Sequence, residues 1–155
     1  MNILPSMKTL NLPQYEFKLS PDETAIFDII RKKFIVLLPE EWVRQHFVNY
    51  LINHLGYPAG LIKVEFGISY NKLSKRPDIL AYDRQGQPLL LVECKSYDIK
   101  TSKSVFEQVA VYNKVIKAPY VVATNGLQHF CWSQNKETAK IEFMDEVPEF
   151  LSLVP

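Results

Sequence analysis

Apolar positions first recur at helical spacing over Glu40 to Leu55. Val43, Phe47, Val48, Tyr50, Leu51 and Leu55 carry that period. Pro39 stands where a helix likes to begin, Glu40 and Glu41 suit the positive end of the dipole, and Gly56 suits the residue past its stop. Beyond Tyr57-Pro58 the pattern changes to strands. Leu61 to Ile68 sets Ile62, Val64, Phe66 and Ile68 on one face, and the polar run Ser69 to Arg76 follows. Asp78 to Tyr82 reads as a strand, Asp83 to Pro88 (DRQGQP) as a turn, and Leu89 to Lys95 as a strand buried on both faces. Ser104 to Lys117 returns to the helical period, with Val105, Val109, Tyr112 and Ile116 on one side. Tyr120 to Thr124 is another buried strand, closed by the turn pair Asn125-Gly126. His129 to Trp132 is its hairpin partner, and Lys140 to Phe143 an edge strand.

The start of the chain is less regular. Pro5, Pro13 and Pro21 break it, and Tyr15 to Leu19 has the makings of a short strand. Ile26 to Leu38 fits a helix or two short strands. A helix between two apolar strands implies a parallel crossover, so the expected class is α/β (α+β) with a mixed central sheet flanked by helices. The reading divides the chain into an irregular extension over 1–25, a core domain over 26–133, and an edge strand with an acidic end over 134–155.

Composition narrows the function classes. At 155 residues, 47% hydrophobic and 23% charged, the chain has the size and balance of one globular domain. Its longest apolar runs, Phe34 to Leu38 and Leu89 to Val92, are far too short to cross a bilayer. Met1 to Leu10 lacks a charged region followed by an apolar core, so no secretory signal is expected and the cytoplasm is the default address. Two cysteines, Cys94 and Cys131, without CxxC spacing, argue against a disulfide scaffold and a zinc finger. A net charge of +1 implies no nucleic acid by itself. The five glycines permit neither a Walker A loop nor a GxGxxG fingerprint, and there is no GxSxG elbow.

Chemistry gathers on the central strands. Asp78 follows Pro77 at the head of one strand, and Glu93 and Lys95 end the next, on one face at period two. The DRQGQP turn pairs these strands, which brings two carboxylates and an ammonium to one sheet edge. Paired carboxylates repel, so one has a raised pKa or the pair holds a cation. Mg²⁺ takes such oxygens with waters and phosphate oxygens, and Lys95 beside it would orient water or stabilise a pentavalent phosphate. Pro-Asp is common in turns and Glu-x-Lys on solvated strands, so the weight lies in the two halves falling on paired strands.

The helices add candidates. Glu40 and Arg44 fall within the apolar face of the first helix, with Glu41 nearer its edge. They are either a buried ion pair, or an acid supporting the metal water with an arginine touching phosphate. Gln108 and Tyr112 share a face of the second helix. Gln108 can reach Lys95, water or a nucleotide, or lie at the surface, and Tyr112 is most simply a core aromatic. Lys72, Lys75, Arg76, Lys100 and Lys103 flank the hairpin, either attracting phosphate together or standing singly in solvated loops. His46, His54 and His129 do not group. Cys94 points away from Glu93 and Lys95, into the core, as an inert thiol.

Pro77-Asp78 and Glu93-Cys94-Lys95, in this strand context, resemble the signature of the PD-(D/E)xK nuclease superfamily. The stretches PEEWVRQHFVNYLINHLGYP (39–58), KRPDILAYD (75–83), LLLVECKSYD (89–98), FEQVAVYN (106–113) and VVATNG (121–126) resemble the N-terminal domain of type I restriction enzyme R subunits and its stand-alone relatives. The resemblance spans roughly Ile26 to Trp132. It implies a restriction-endonuclease-like core in which Asp78 and Glu93 bind Mg²⁺ or Mn²⁺, the Cys94 carbonyl is a further ligand and Lys95 is the catalytic lysine. It also implies Glu40 as the helix acid with Glu41 as fallback, and Gln108 with Tyr112 as a QxxxY element. R subunits of this kind continue into a helicase motor, and the P-loop such a motor needs is not in these 155 residues.

The reading that follows is a metal-dependent deoxyribonuclease acting on DNA, with a helicase or specificity subunit as partner and Arg44, Lys75, Arg76, Lys100 and Tyr112 on the DNA side. Cutting both strands needs two sites, which makes a homodimer an expectation. A binding module of the same fold that does not cleave is the alternative, and an ion-pair network with no ligand is the third reading. Residues Glu142 to Glu149 form either a solvated end or a partner contact.

Overall fold

A computed structural model of the chain describes residues 7–64 and 77–154. The described strands are β1 (Ala25–Asp28), β2 (Lys33–Val36), β3 (Ile62–Val64), β4 (Ile79–Tyr82), β5 (Pro88–Cys94), β6 (Tyr120–Thr124), β7 (His129–Gln134) and β8 (Ile141–Met144). The described helices are α1 (Pro39–Asn53), α2 (Lys103–Ile116) and the single turn α3 (Phe150–Leu153). Strands β3 to β8 form one sheet in chain order, antiparallel throughout except for the parallel pair β5–β6. The class is therefore α+β with a mixed central sheet, and α2 is the crossover that lets β5 and β6 run parallel.

The alternation of side chains along β5 explains the layering. Leu90, Val92 and Cys94 face α1 and pack with Val43, Phe47 and Leu51. Leu91 faces α2 and packs with Val109, Tyr112 and Ile116. The strand is buried from Leu89 to Cys94 because both its faces are covered. At the end of α2, Asn113 fixes the entry to β6. Its side-chain amide donates to the Ala118 carbonyl at 2.9 Å and its oxygen accepts from the Ala118 amide at 3.0 Å.

The segment Ile26 to Leu38, which fitted two readings, is a β-hairpin pairing Ala25 with Val36 and Asp28 with Lys33. Asp28 is the reason. Its Oδ1 accepts from the Ile30 and Arg31 amides at 2.8 and 2.9 Å, which closes a turn in place of a helix. Tyr15 to Leu19 is not a strand, and contributes one isolated bridge, Leu19 to Ile26. The strand expected from Leu61 to Ile68 is described as Ile62–Val64, and 65–68 lie outside the described residues.

Both ends of the described chain are tied to the core. The Asn11 amide donates to the Gly126 carbonyl at 2.8 Å, and Leu10 packs over that glycine. The acidic end is anchored by Phe150, which is fully buried against Tyr57 with ring centroids 5.4 Å apart. The Phe150 amide donates to the Leu55 carbonyl at 2.9 Å.

Candidate functional site

The β4–β5 hairpin builds the site. Its register pairs Ile79 with Val92, so one step further Asp78 stands opposite Glu93. Both lie where the parallel strands β5 and β6 end, the edge at which open α/β sheets place their ligands. Asp83 and Gly86 set the other end of the hairpin. The Asp83 Oδ1 accepts from the amides of Gln85 and Gln87, both at 2.9 Å, and Gly86 takes φ +79°. Lys95 continues β5 by donating its amide to the Thr124 carbonyl at 2.8 Å.

Asp78 and Glu93 are both buried, and they lie close enough for the Glu93 charge to act on the Asp78 carboxyl. Burial raises the Asp78 carboxyl well above the ordinary range and the Glu93 charge adds to it. Arg44 and the Cys94 amide pull the other way. The contacts behind this are specific. The Asp78 Oδ2 accepts from the Cys94 amide at 2.8 Å, and its Oδ1 accepts from Arg44 Nη2 at 3.3 Å. Lys95 Nζ lies 3.3 Å from Glu93 Oε2 and keeps a partly exposed ammonium. The Tyr112 phenol sits against the Glu93 carboxylate. Burial, then Glu93 and Asp78, push it up, so it stays protonated.

Asp78, Glu93, Lys95, Arg44 and Tyr112 are thus brought together. The other expectations fare differently. Glu40 does not project inward but is exposed, and it is Glu41 that is buried. One position of helix rotation, about 100°, separates the two, and the cover of the β1–β2 hairpin decides which is enclosed. Arg44 is buried with its guanidinium held between Glu41 and Asp78, and so is not an exposed phosphate contact. Gln108 is exposed on α2, one turn before the buried Tyr112. Lys100 is exposed, and exposed Lys103 lies 3.9 Å from Glu107. Lys72, Lys75 and Arg76 lie outside the described residues.

Cys94 turns its thiol into the α1 face of the core and is fully buried there. Burial raises it well above the ordinary value. His46 and His129 serve packing. His46 Nδ1 meets the Trp42 carbonyl at 2.7 Å, and His129 bridges Thr124 Oγ1 and the Asn11 carbonyl, both at 2.7 Å.

Three polar residues near the site are not among the candidates that the sequence offers. Asp28 and Arg31 come from the hairpin, and Gln45 from α1. Gln45 Nε2 donates to Glu41 Oε2 at 2.7 Å and to Asp28 Oδ2 at 3.1 Å. Spacing alone marks Gln45, four residues beyond Glu41 and on its face, whereas Asp28 and Arg31 arrive only through folding.

The donor set fits a hard cation in part. Two buried carboxylates on facing strands supply the oxygens that Mg²⁺ accepts along with water and phosphate. Among the described residues, no three acidic, histidine or cysteine side chains are grouped so as to hold a metal ion by themselves.

No curated protein matches the chain at a significant level. A family does. Residues 39–148, which hold α1, the site strands and α2, match the family described as type I restriction enzyme R protein N terminus. The match covers most of the chain, and the chain belongs to the family of type I restriction enzyme R protein N termini.

Proposed function

We propose that the chain is a metal-dependent endonuclease of a restriction system that hydrolyses DNA phosphodiester bonds. The observation that carries the reading is the buried Asp78–Glu93 pair with Lys95 Nζ 3.3 Å from Glu93. Mg²⁺ or Mn²⁺ held by these carboxylates, with the Cys94 carbonyl as a further oxygen, would supply a Lewis acid for the phosphate and a more acidic water. The chain's own residues do the rest. Lys95, partly exposed at the sheet edge with its ammonium on Glu93, would position water and meet the charge that builds on the phosphate. Arg44 holds Asp78 in place, and the protonated Tyr112 holds Glu93 from the α2 side. Membership of this family supports work beside the other subunits of a restriction enzyme, a helicase or specificity subunit among them, and a homodimer would cut both strands.

A second reading, a DNA- or protein-binding module that does not cleave, draws support from one observation. Both Asp78 oxygens already accept hydrogen bonds, from Arg44 and the Cys94 amide, so a cation must displace or share them.

Cleavage of plasmid and single-stranded DNA with Mg²⁺ or Mn²⁺, beside Lys95→Ala and Asp78→Ala, tests the pair. Metal-dependent cutting that disappears in both variants is the expected result. A folded parent that binds the metal and never cuts, alone or with a partner subunit, would leave the binding module.

A further inference from the structure

The β1–β2 hairpin lies ahead of the family-matched segment, yet it is wired into the site. Arg31 stands in its turn. Its Nε donates to Asp28 Oδ2 at 2.7 Å, and its Nη2 reaches Glu41 Oε2 at 3.4 Å. Glu41 in turn takes Arg44 Nη1 on Oε1 at 3.1 Å, and Arg44 Nη2 ends on Asp78 Oδ1 at 3.3 Å. Gln45 ties Asp28 and Glu41 together from the helix. Signs alternate along the line Asp28, Arg31, Glu41, Arg44, Asp78, and Asp28, Glu41, Arg44 and Asp78 are buried.

We propose that Arg31 is a positioning residue for the site, acting through Glu41 to hold the Arg44 guanidinium on Asp78. A guanidinium suits this place because its rigid planar fork holds Nε and Nη2 apart to meet Asp28 and Glu41 separately, whereas a lysine ammonium is a single point charge on a flexible stem. Glu41, occupied by Arg31, Arg44 and Gln45, then acts as the clamp of Arg44. In a low-dielectric interior such a line is stiff, since moving one charge leaves its neighbours uncompensated. The hairpin thereby becomes part of the catalytic apparatus, and its own burial against α1 helps to set the geometry of Asp78. The inference deepens the nuclease reading and rests on it for its consequence, although the clamp itself is readable without cleavage.

The test uses the full chain. Side-chain Nε–H resonances of arginine are recorded by ¹⁵N NMR, and that of Arg44 is assigned by its loss in Arg44→Lys. In the parent this proton is expected to exchange slowly. In Arg31→Ala it exchanges about tenfold faster or more, as a coupled pair implies, while the backbone amides of β4 and β5 keep their positions. Arg31→Lys is expected to behave like Arg31→Ala and Glu41→Gln to release the same signal. If Arg31→Ala fails to fold, Arg31→Gln is read in the same way. An Arg44 signal unchanged by the loss of the Arg31 guanidinium overturns the proposal. Where the parent cuts DNA, Arg31→Ala is further expected to lower kcat with little change in KM, and to add little to the loss in Arg44→Lys. Independent, additive losses would also overturn it. A parent that never cuts, with Arg44 released in Arg31→Ala, keeps the clamp and removes only the nuclease reading.

Discussion

Single residues carry opposing demands at this sheet edge. Asp78 sits opposite Glu93 in a buried place that disfavours its charge, and Arg44 offsets only part of that. A carboxyl whose native pKa is raised loses stability as pH climbs through the interval above its unfolded value, because the unfolded chain ionises first. Asp78→Asn keeps the shape and removes the repulsion. We expect it to raise the melting temperature of the metal-free protein, by about 2–4 °C for each kcal/mol relieved, and to abolish any rise in melting temperature on adding Mn²⁺. A lower melting temperature in calorimetry would mean that the Arg44 contact outweighs the repulsion. The two thiols give a simpler expectation. Burial raises both, Cys131 to about 11 and Cys94 well above its ordinary value. Neither should react with a thiol reagent at pH 8 until the chain unfolds, since the thiolate is the nucleophile. Fast labelling of the folded protein would show that the core opens locally.

At the scale of elements, two tight places hold the layers against the sheet. Gly126 closes the turn between β6 and β7 with φ +85°, and a Cβ there would meet Leu10 at 2.9 Å and Val43 at 3.0 Å. Gly126→Ala combines left-handed backbone strain with that crowding and is expected to cost about 1–3 kcal/mol in urea unfolding. Phe150 works from the other end of the chain. It is fully buried in the α1-side core, and Phe150→Ala is expected to cost about 3–5 kcal/mol. A cost below about 1 kcal/mol would show that the last turn is dispensable to the core. Most elements were legible from their periods: α1, β4, β5, α2 and β6 fall within a residue or two of where the pattern put them. The β1–β2 hairpin was not, because its apolar and basic residues suit either period and the deciding bond is the Asp28 side chain closing the turn.

For the whole molecule, the titrating groups outside the site act together. Burial would raise the Asp28 carboxyl, but the Arg31 amide, side chain and charge hold it below the ordinary range. Desolvation lowers His46 and His129 despite their bonds to the Trp42 and Asn11 carbonyls. All three are depressed in the folded chain, so the unfolded chain binds protons first. Their contributions are fully present above the unfolded values, about 6.5 for histidine and 3.9 for aspartate. They are lost as pH falls through the lower native values. Urea midpoints are therefore expected to fall in two steps on acidification, beginning below about pH 6.5. The raised Asp78 acts in the opposite direction over the interval above its unfolded value, about 3.9, and so opposes the first step; the profile is therefore read in Asp78→Asn, where that opposition is absent. A flat profile from pH 7 to 5 would mean that the histidines stay solvated.

The sequence by itself determined the class of the fold, the pairing of β4 with β5, and the gathering of Asp78, Glu93 and Lys95 at the end of that pair. Those features are local. Period, turn residues and a short hairpin bring the carboxylates together whatever the rest of the chain does. Tertiary structure alone decided which helix acid is enclosed and what it touches. Glu40 and Glu41 differ by one position on the helix, and the cover supplied by the hairpin makes Glu41 the buried one. It likewise turned Arg44 from an expected phosphate contact into the partner of Asp78, and recruited Asp28 and Arg31 from a segment whose period was ambiguous. Burial of charge is settled by what packs above it, and that depends on residues distant in the chain, which no local pattern records.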